Sequence, residues 1–267
     1  MDLQSRIFHA DCAMTPTRSK IFYKIKRQIG KAIGDFDLIN DGDHIAVAVS
    51  GGKDSYTLLH VLETLRRRAP VTFRFTAINF DLGYPGYRKD ILEEHLKQHG
   101  FAYRMVATEC YRIVEEKRDL GSSYCSFCAR LRRGVLYTEA EKAGCNKIAL
   151  AHHLDDFIET LLLNQFYVGT LAAMSPKMLA DNKKHTVIRP LVYVEERDII
   201  RFATESNFPI ICCACPVCGS AEQKRKQMKN LLKELAKDNP RIKNSMIRAL
   251  SNVKPRHLMD KRLKPFT

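Results

Sequence analysis

The chain has 267 residues, 45% of them hydrophobic, which is enough for one large domain or a domain with an appendage, so a globular protein is expected. Its 44 Lys and Arg against 30 Asp and Glu give a formal charge of +14, which points to polyanionic partners. No run of 18 apolar residues occurs, and the first residues carry Asp2, Arg6 and Asp11 instead of a basic patch and an apolar stretch, so the expectation is a soluble, cytoplasmic protein with no membrane partner.

Taken in chain order, Ile21, Phe22, Ile25, Ile29 and Ile33 recur at helical spacing and predict an amphipathic helix over 18–34. A β-branched run at 44–49 predicts a buried strand, and after Gly51 and Gly52 the residues Leu58, Leu59, Val61, Leu62 and Leu65 predict a helix over 55–68. The alternation continues with a strand near 72–80, a helix over 87–99 stopped by Gly100, and a strand near 102–106. A helix after Cys128 ends at Gly144, and then come a strand over 147–151, a helix from about Asp155 to Tyr167 and a strand near 186–188. Beyond Cys218 only helical patterns remain, at 221–236 and 241–252. Repeated βα units with apolar strands predict the α/β class, a parallel sheet with helices on both faces, with helical N-terminal and C-terminal additions. The expected divisions are residues 1–40, 41–218 and 219–267. The last of these carries 14 Lys and Arg against 4 Asp and Glu, a concentration suited to nucleic-acid phosphates, although a solvated basic face has the same composition.

The turn after the first strand reads Ser50-Gly51-Gly52-Lys53-Asp54-Ser55. Two glycines let the backbone bring several N–H groups to one point, and the helix that follows adds the positive end of its dipole, so anions bind there. Lys53 neutralises phosphate charge, Ser50 and Ser55 supply hydrogen bonds, and Asp54 suits Mg²⁺ or a helix cap. The spacing is not that of the Walker loop.

Nine cysteines include two C-x-x-C pairs, Cys125/Cys128 and Cys215/Cys218, whose spacing fits a Cys₄ zinc site or an iron–sulfur cluster. Cys12, Cys110 and Cys145 lack such spacing and read as structural. Asp155 and Asp156 open a helix just after a strand, where carboxylates either cap the helix or act on a ligand at the strand's carboxyl end. Arg132 and Arg133, one turn past the first cysteine pair, and Arg189 are cations able to meet phosphate or a developing oxyanion, or simply exposed bases.

The hexapeptide resembles the PP-loop of the ATP pyrophosphatase superfamily, an adenine nucleotide alpha hydrolase-like group. Together with Cys125-Ser-Phe-Cys128-Ala-Arg-Leu-Arg132-Arg133-Gly134, Ala151-His152-His153-Leu154-Asp155-Asp156 and Ile188-Arg189-Pro190-Leu191, it resembles the bacterial tRNA 2-thiocytidine synthetases over about residues 18–260. The resemblance implies an ATP-dependent tRNA-cytidine 2-sulfurtransferase that adenylates the C2 oxygen of cytidine 32 in the anticodon loop and then replaces it with sulfur. It implies ATP, Mg²⁺ and a [4Fe-4S] cluster as cofactors, tRNA and a sulfur donor such as a cysteine desulfurase as partners, and a dimer as the usual form of such enzymes. Ser50, Gly51, Gly52, Lys53, Asp54 and Ser55 are the expected nucleotide-binding residues with His152 close to the nucleotide, and Lys53 and Arg132 are the cations expected to act on phosphate or the oxyanion; by the resemblance Asp156 is catalytic and Cys125, Cys128 and Cys218 hold the cluster. The run Cys212-Cys213-Ala-Cys215-Pro-Val-Cys218 is richer in cysteine than that pattern, which leaves Cys215 as the alternative third ligand. Two other readings stay open: a PP-loop enzyme forming 2-thiouridine or lysidine, and a zinc-stabilised RNA-binding protein.

Overall fold

The computed structural model describes residues 19–117, 124–211 and 222–260. The chain packs as two compact units, one built from Met1–His153 and Ser175–Cys218, the other from Leu154–Met174 and Gly219–Thr267.

The first unit opens with helix α1 (Lys20–Phe36), capped by the Ser19 hydroxyl, which accepts from the Phe22 N–H at 3.3 Å. Strand β1 (His44–Ala48) leads into α2 (Lys53–Arg66), then β2 (Arg74–Asp81), α3 (Lys89–Gln98), β3 (Tyr103–Ala107), α4 (Cys110–Lys117), α5 (Tyr124–Lys142) and β4 (Lys147–Ala149). After β4 the chain enters the second unit through α6 (Leu154–Leu163) and returns with β5 (Lys177–Leu179), β6 (Thr186–Ile188) and α7 (Glu196–Glu205). The strands form one sheet in the order β3-β2-β1-β4-β6-β5, parallel except for β5.

Alternation along the strands explains why both faces are covered. Ala46, Ile78, Ile148 and Val187 share one face and pack against Leu136 and Ala140 of α5. The opposite parity, Ile45, Val47, Ala77 and Ile188, is fully or almost fully buried as well. Where β1 and β4 start, Lys147 donates to the Asp43 carboxylate at 2.6 Å and to the Leu38 carbonyl at 2.9 Å inside the protein. Burial pushes the Asp43 carboxyl up, but hydrogen bonds from the Asn40 N–H and Lys147 outweigh it and hold the group below the usual carboxylate range.

In the second unit α6 packs against α8 (Glu222–Asp238) and α9 (Ile242–Leu250). Leu154, Ile158 and Leu162 meet Met228 and Leu232, with Met246 and Ile247 at the margin. At Asn164–Val168 the helix loosens into a π-helical turn that Gly169 closes in the left-handed region, φ 73°, so the regular part of the expected 155–167 helix stops at Leu163. Among the described residues no helix is long and apolar enough to cross a membrane.

Candidate active site

β1 and β4 are neighbours whose connections leave in opposite directions, so the turns at their carboxyl ends flank a switch point of the sheet, where open α/β sheets bind ligands. The Val49–Gly52 turn follows β1, and the segment holding His152 and His153 follows β4.

Gly51 stands at φ 79°, a backbone state that side chains rarely adopt, and a Cβ there would run into the Ile211 side chain. The Ile211 N–H donates to the Gly51 carbonyl at 3.1 Å, which ties the end of the described segment 124–211 to the loop. Gly52 is the N-cap of α2 and lends no side-chain cap, so the first N–H groups of α2 have no capping side chain. Its own N–H donates to the Ser50 hydroxyl at 3.3 Å, while the Ser55 hydroxyl donates to the Gly52 carbonyl at 2.8 Å and is buried as a strut. The loop is held from behind by Asn79 of β2, whose amide donates to the Val49 carbonyl at 2.7 Å.

Lys53 lies between two carboxylates, with Nζ 3.2 Å from Asp54 Oδ2 and 3.2 Å from Glu196 Oε1. Burial works to lower the pKa of Lys53, but Asp54 and Glu196 overcome it and raise the pKa, so the group is a cation at neutral pH. The other Asp54 oxygen, Oδ1, is buried without a hydrogen bond among the described residues and lies 3.7 Å from His153 Nε2. A buried carboxylate oxygen beside a phosphate loop suits a hard cation such as Mg²⁺. His152 Nδ1 accepts from Arg189 Nε at 3.2 Å, and Arg189 is anchored by the Ser175 carbonyl at 2.5 Å. Burial pulls the Arg189 guanidinium pKa down.

The first cysteine pair lies within α5, so the helix expected after Cys128 already runs from Tyr124, because nothing from Tyr124 to Arg133 breaks a helix. Cys128 is buried against Val114, with its Sγ 3.9 Å from the Tyr84 hydroxyl in the turn after β2. That is the same edge of the sheet as the Ser50–Ser55 loop, since β2 runs parallel to β1. A buried thiol there suits a soft metal site. The side chain of Cys125, and Cys215 and Cys218 altogether, lie outside the described residues, as does Cys12. Cys110 and Cys145 are buried, and burial pushes the Cys145 thiol up to about 11, which suits packing and not reactivity. Arg132 and Arg133 are exposed on α5.

Asp155 and Asp156 belong to the second unit, in the first turn of α6. Asp155 is buried and paired with Lys243, and Asp156 Oδ1 lies 3.5 Å from Arg225 Nη1. Arg225 also meets Glu159 at 3.2 Å, a carboxyl whose pKa is raised by burial.

The model of the PP-loop domain family matches residues 21–211. The tRNA-cytidine(32) 2-sulfurtransferase of Geobacter metallireducens is 65% identical over 91% of this chain and 95% of its own length. The protein of that name from Pelobacter propionicus is 56% identical over 91% of this chain and 90% of its own length. The chain belongs to the PP-loop tRNA-cytidine(32) 2-sulfurtransferase family and is an enzyme. Among solved structures, the U34-tRNA thiolase NcsA of Methanococcus maripaludis with its [4Fe-4S] cluster matches with a TM-score of 0.70 at 23% identity, over 87% of this chain and 78% of that one. That likeness is one of fold.

Sequence reasoning missed two residues that hold the PP-loop in place. Glu196 is 143 positions from Lys53, and its only signal is an acidic residue at the start of a helix. Asn79 is a lone polar residue in an apolar strand, 1% exposed, a pattern that a buried hydrogen-bonding role explains.

Proposed function

We propose that the enzyme uses ATP and Mg²⁺ to replace the C2 oxygen of cytidine 32 in the tRNA anticodon loop with sulfur, through a [4Fe-4S] cluster. The observation that carries this reading is the 65% identity to a relative named for that reaction, over 91% of the chain. The loop geometry gives the first step its chemistry. Amide N–H groups at Gly51, Gly52 and the start of α2 receive the leaving pyrophosphate, and Lys53 exchanges its carboxylate partners for phosphate. Asp54 would hold Mg²⁺, which would offset phosphate charge there, and the His152 ring, oriented by Arg189, borders the nucleotide.

The C2 oxygen attacks the α-phosphorus and pyrophosphate leaves. Sulfur at the hydrosulfide level then adds to C2, and the oxygen departs with AMP, so no net redox change occurs at the base. Cys125, Cys128 and Cys218 would hold the cluster, which supplies an iron site not saturated by protein ligands for carrying sulfur. Arg132 stabilises negative charge as the substitution proceeds, and Asp156 accepts the proton released at the base. The basic residues after Cys218 hold tRNA phosphates while the cytidine leaves its stack. A sulfur donor such as a cysteine desulfurase, assembly as a homodimer and residence in the cytoplasm complete the reading.

The test is anaerobic incubation of the holoenzyme with tRNA, ATP and sulfide, followed by nucleoside mass spectrometry. 2-Thiocytidine at position 32 is expected; 2-thiouridine alone, or no thiolation by a cluster-loaded enzyme, overturns the reading. Lys53→Ala should retain its iron and lose pyrophosphate release by about 10²-fold or more. Normal thiolation by that variant removes Lys53 from the mechanism.

A further inference from the structure

Two turns into α2, about 10 Å along the helix from Lys53, His60 faces His95 of α3 and His99 at the C-cap of that helix. His95 and His99 are four residues apart and so present their rings on one side of the α3 segment, towards His60. One nitrogen from each of the three rings lies within 4.8 Å of the others. His60 Nε2 and His95 Nε2 are 2.9 Å apart and share one hydrogen. His99 Nδ1 contacts the His95 carbonyl at 2.9 Å, which makes Nδ1 the protonated nitrogen and leaves a lone pair on Nε2.

We propose that His60, His95 and His99 form a binding site for one divalent transition-metal ion, Zn²⁺ by the chemistry of the donors. Three imidazoles with no carboxylate in the set suit a borderline-soft ion and not Mg²⁺ or Ca²⁺. Tetrahedral bonds of about 2.0–2.1 Å place ligand nitrogens about 3.4 Å apart, a spacing that small ring rotations reach from the observed one. The surroundings fix the rings. Phe208 stacks on His60 with centroids 5.0 Å apart and planes at 11°, and Tyr56 meets His95 edge-on at 4.7 Å. Burial depresses the pKa of His60 strongly and that of His95 to about 4, so both are neutral ligands at neutral pH. Binding therefore requires a tautomer shift in the shared pair, with no proton lost from His60 or His95.

His60 and His95 are buried while His99 is half-buried, so the ion enters from the His99 side, where water fills the fourth position. A metal there ties α3 to α2, the helix whose first turn carries Lys53, and it stands apart from the cysteine pair of α5. No described cysteine belongs to this nitrogen set.

The holoenzyme, dialysed against chelator and given one equivalent of Zn²⁺, is measured by zinc K-edge X-ray absorption and by thermal unfolding. Light-atom ligation with imidazole scattering at about 2.0–2.1 Å, and a rise in Tm, are expected. His99→Gln, at the most accessible of the three positions, should keep its chelator-state Tm, bind zinc at least ~10-fold more weakly and lose the rise. His60→Gln should abolish nitrogen-ligated zinc, and its circular dichroism in chelator reports whether it folds. Sulfur scattering at about 2.3 Å alone, unchanged affinity in His99→Gln, or no zinc-dependent Tm in the wild type each overturns the site.

Discussion

Gly51 joins backbone geometry to function more tightly than any other described residue of the loop. Its positive φ and the Ile211 side chain both refuse a Cβ, so Gly51→Ala must unwind the turn or push Ile211 off it. The cost to stability should be about 1–2 kcal/mol. ATP affinity should fall much more, by about 10²-fold, because the converging amides are displaced; equilibrium binding of a non-hydrolysable analogue checks this, and unchanged affinity would remove the amide cradle from the account. Glu196 makes the opposite kind of prediction. It holds Lys53 before nucleotide arrives, at 3.2 Å, and so competes with phosphate for the same cation. Glu196→Gln should therefore tighten ATP by about 2- to 5-fold, matching a partly exposed ion pair worth up to ~1 kcal/mol. Weaker binding in that variant makes Glu196 a ligand-binding group and not a competitor.

At the scale of elements, the buried Asp43–Lys147 pair locks the start of β1 to the start of β4 and thereby fixes the two strands whose far ends flank the switch point. Asp43→Asn leaves a buried ammonium without its counter-charge and should cost about 3–5 kcal/mol in urea unfolding. The sign of the pH effect follows from the lowered Asp43 pKa. The carboxylate stabilises the fold above its unfolded value and loses that contribution as acid protonates it, so the wild type weakens between about pH 5 and pH 2 more steeply than the variant does. Such long-range pairs show why sequence patterns reached only part of the structure. The strand–loop–helix at 44–66, the strand at 186–188 and the apolar face of α1 were legible because period and glycines agreed. Strand β5 was not: Met178 and Leu179 are exposed, and it is an antiparallel edge strand of three residues with no buried alternation to read. Helices α4 and α7 are short and polar. The loop residues were visible as a contiguous motif, whereas Glu196, Asn79 and the three histidines meet only after folding. Each left only a local trace: an acidic residue opening a helix for Glu196, a lone polar residue in an apolar strand for Asn79, and the four-residue spacing of His95 and His99.

For the molecule as a whole, charge is unevenly placed along the chain: the residues from Gly219 onward carry ten of the fourteen net positive charges. A polyanion bound by such a segment releases counterions, so affinity depends on salt in proportion to the phosphates neutralised. A solvated basic face with no partner has no such dependence, and that difference separates the two meanings of the same composition. Lys226, Lys233 and Arg248 are exposed on α8 and α9 and serve neither the PP-loop nor the hydrophobic contacts of the second unit. Replacing all three with Gln should leave the thermal unfolding of the enzyme within about 1 kcal/mol of wild type, as surface changes do. The slope of log K for tRNA against log salt should become shallower by about 2, at about 0.7 per lost phosphate contact. Pyrophosphate release at saturating tRNA should persist, with KM for tRNA raised and kcat retained, because the substituted groups contribute to binding alone. An unchanged slope assigns the basic helices to solubility and moves tRNA recognition to the first unit, while a loss of kcat at saturation brings one of the three side chains into the chemistry.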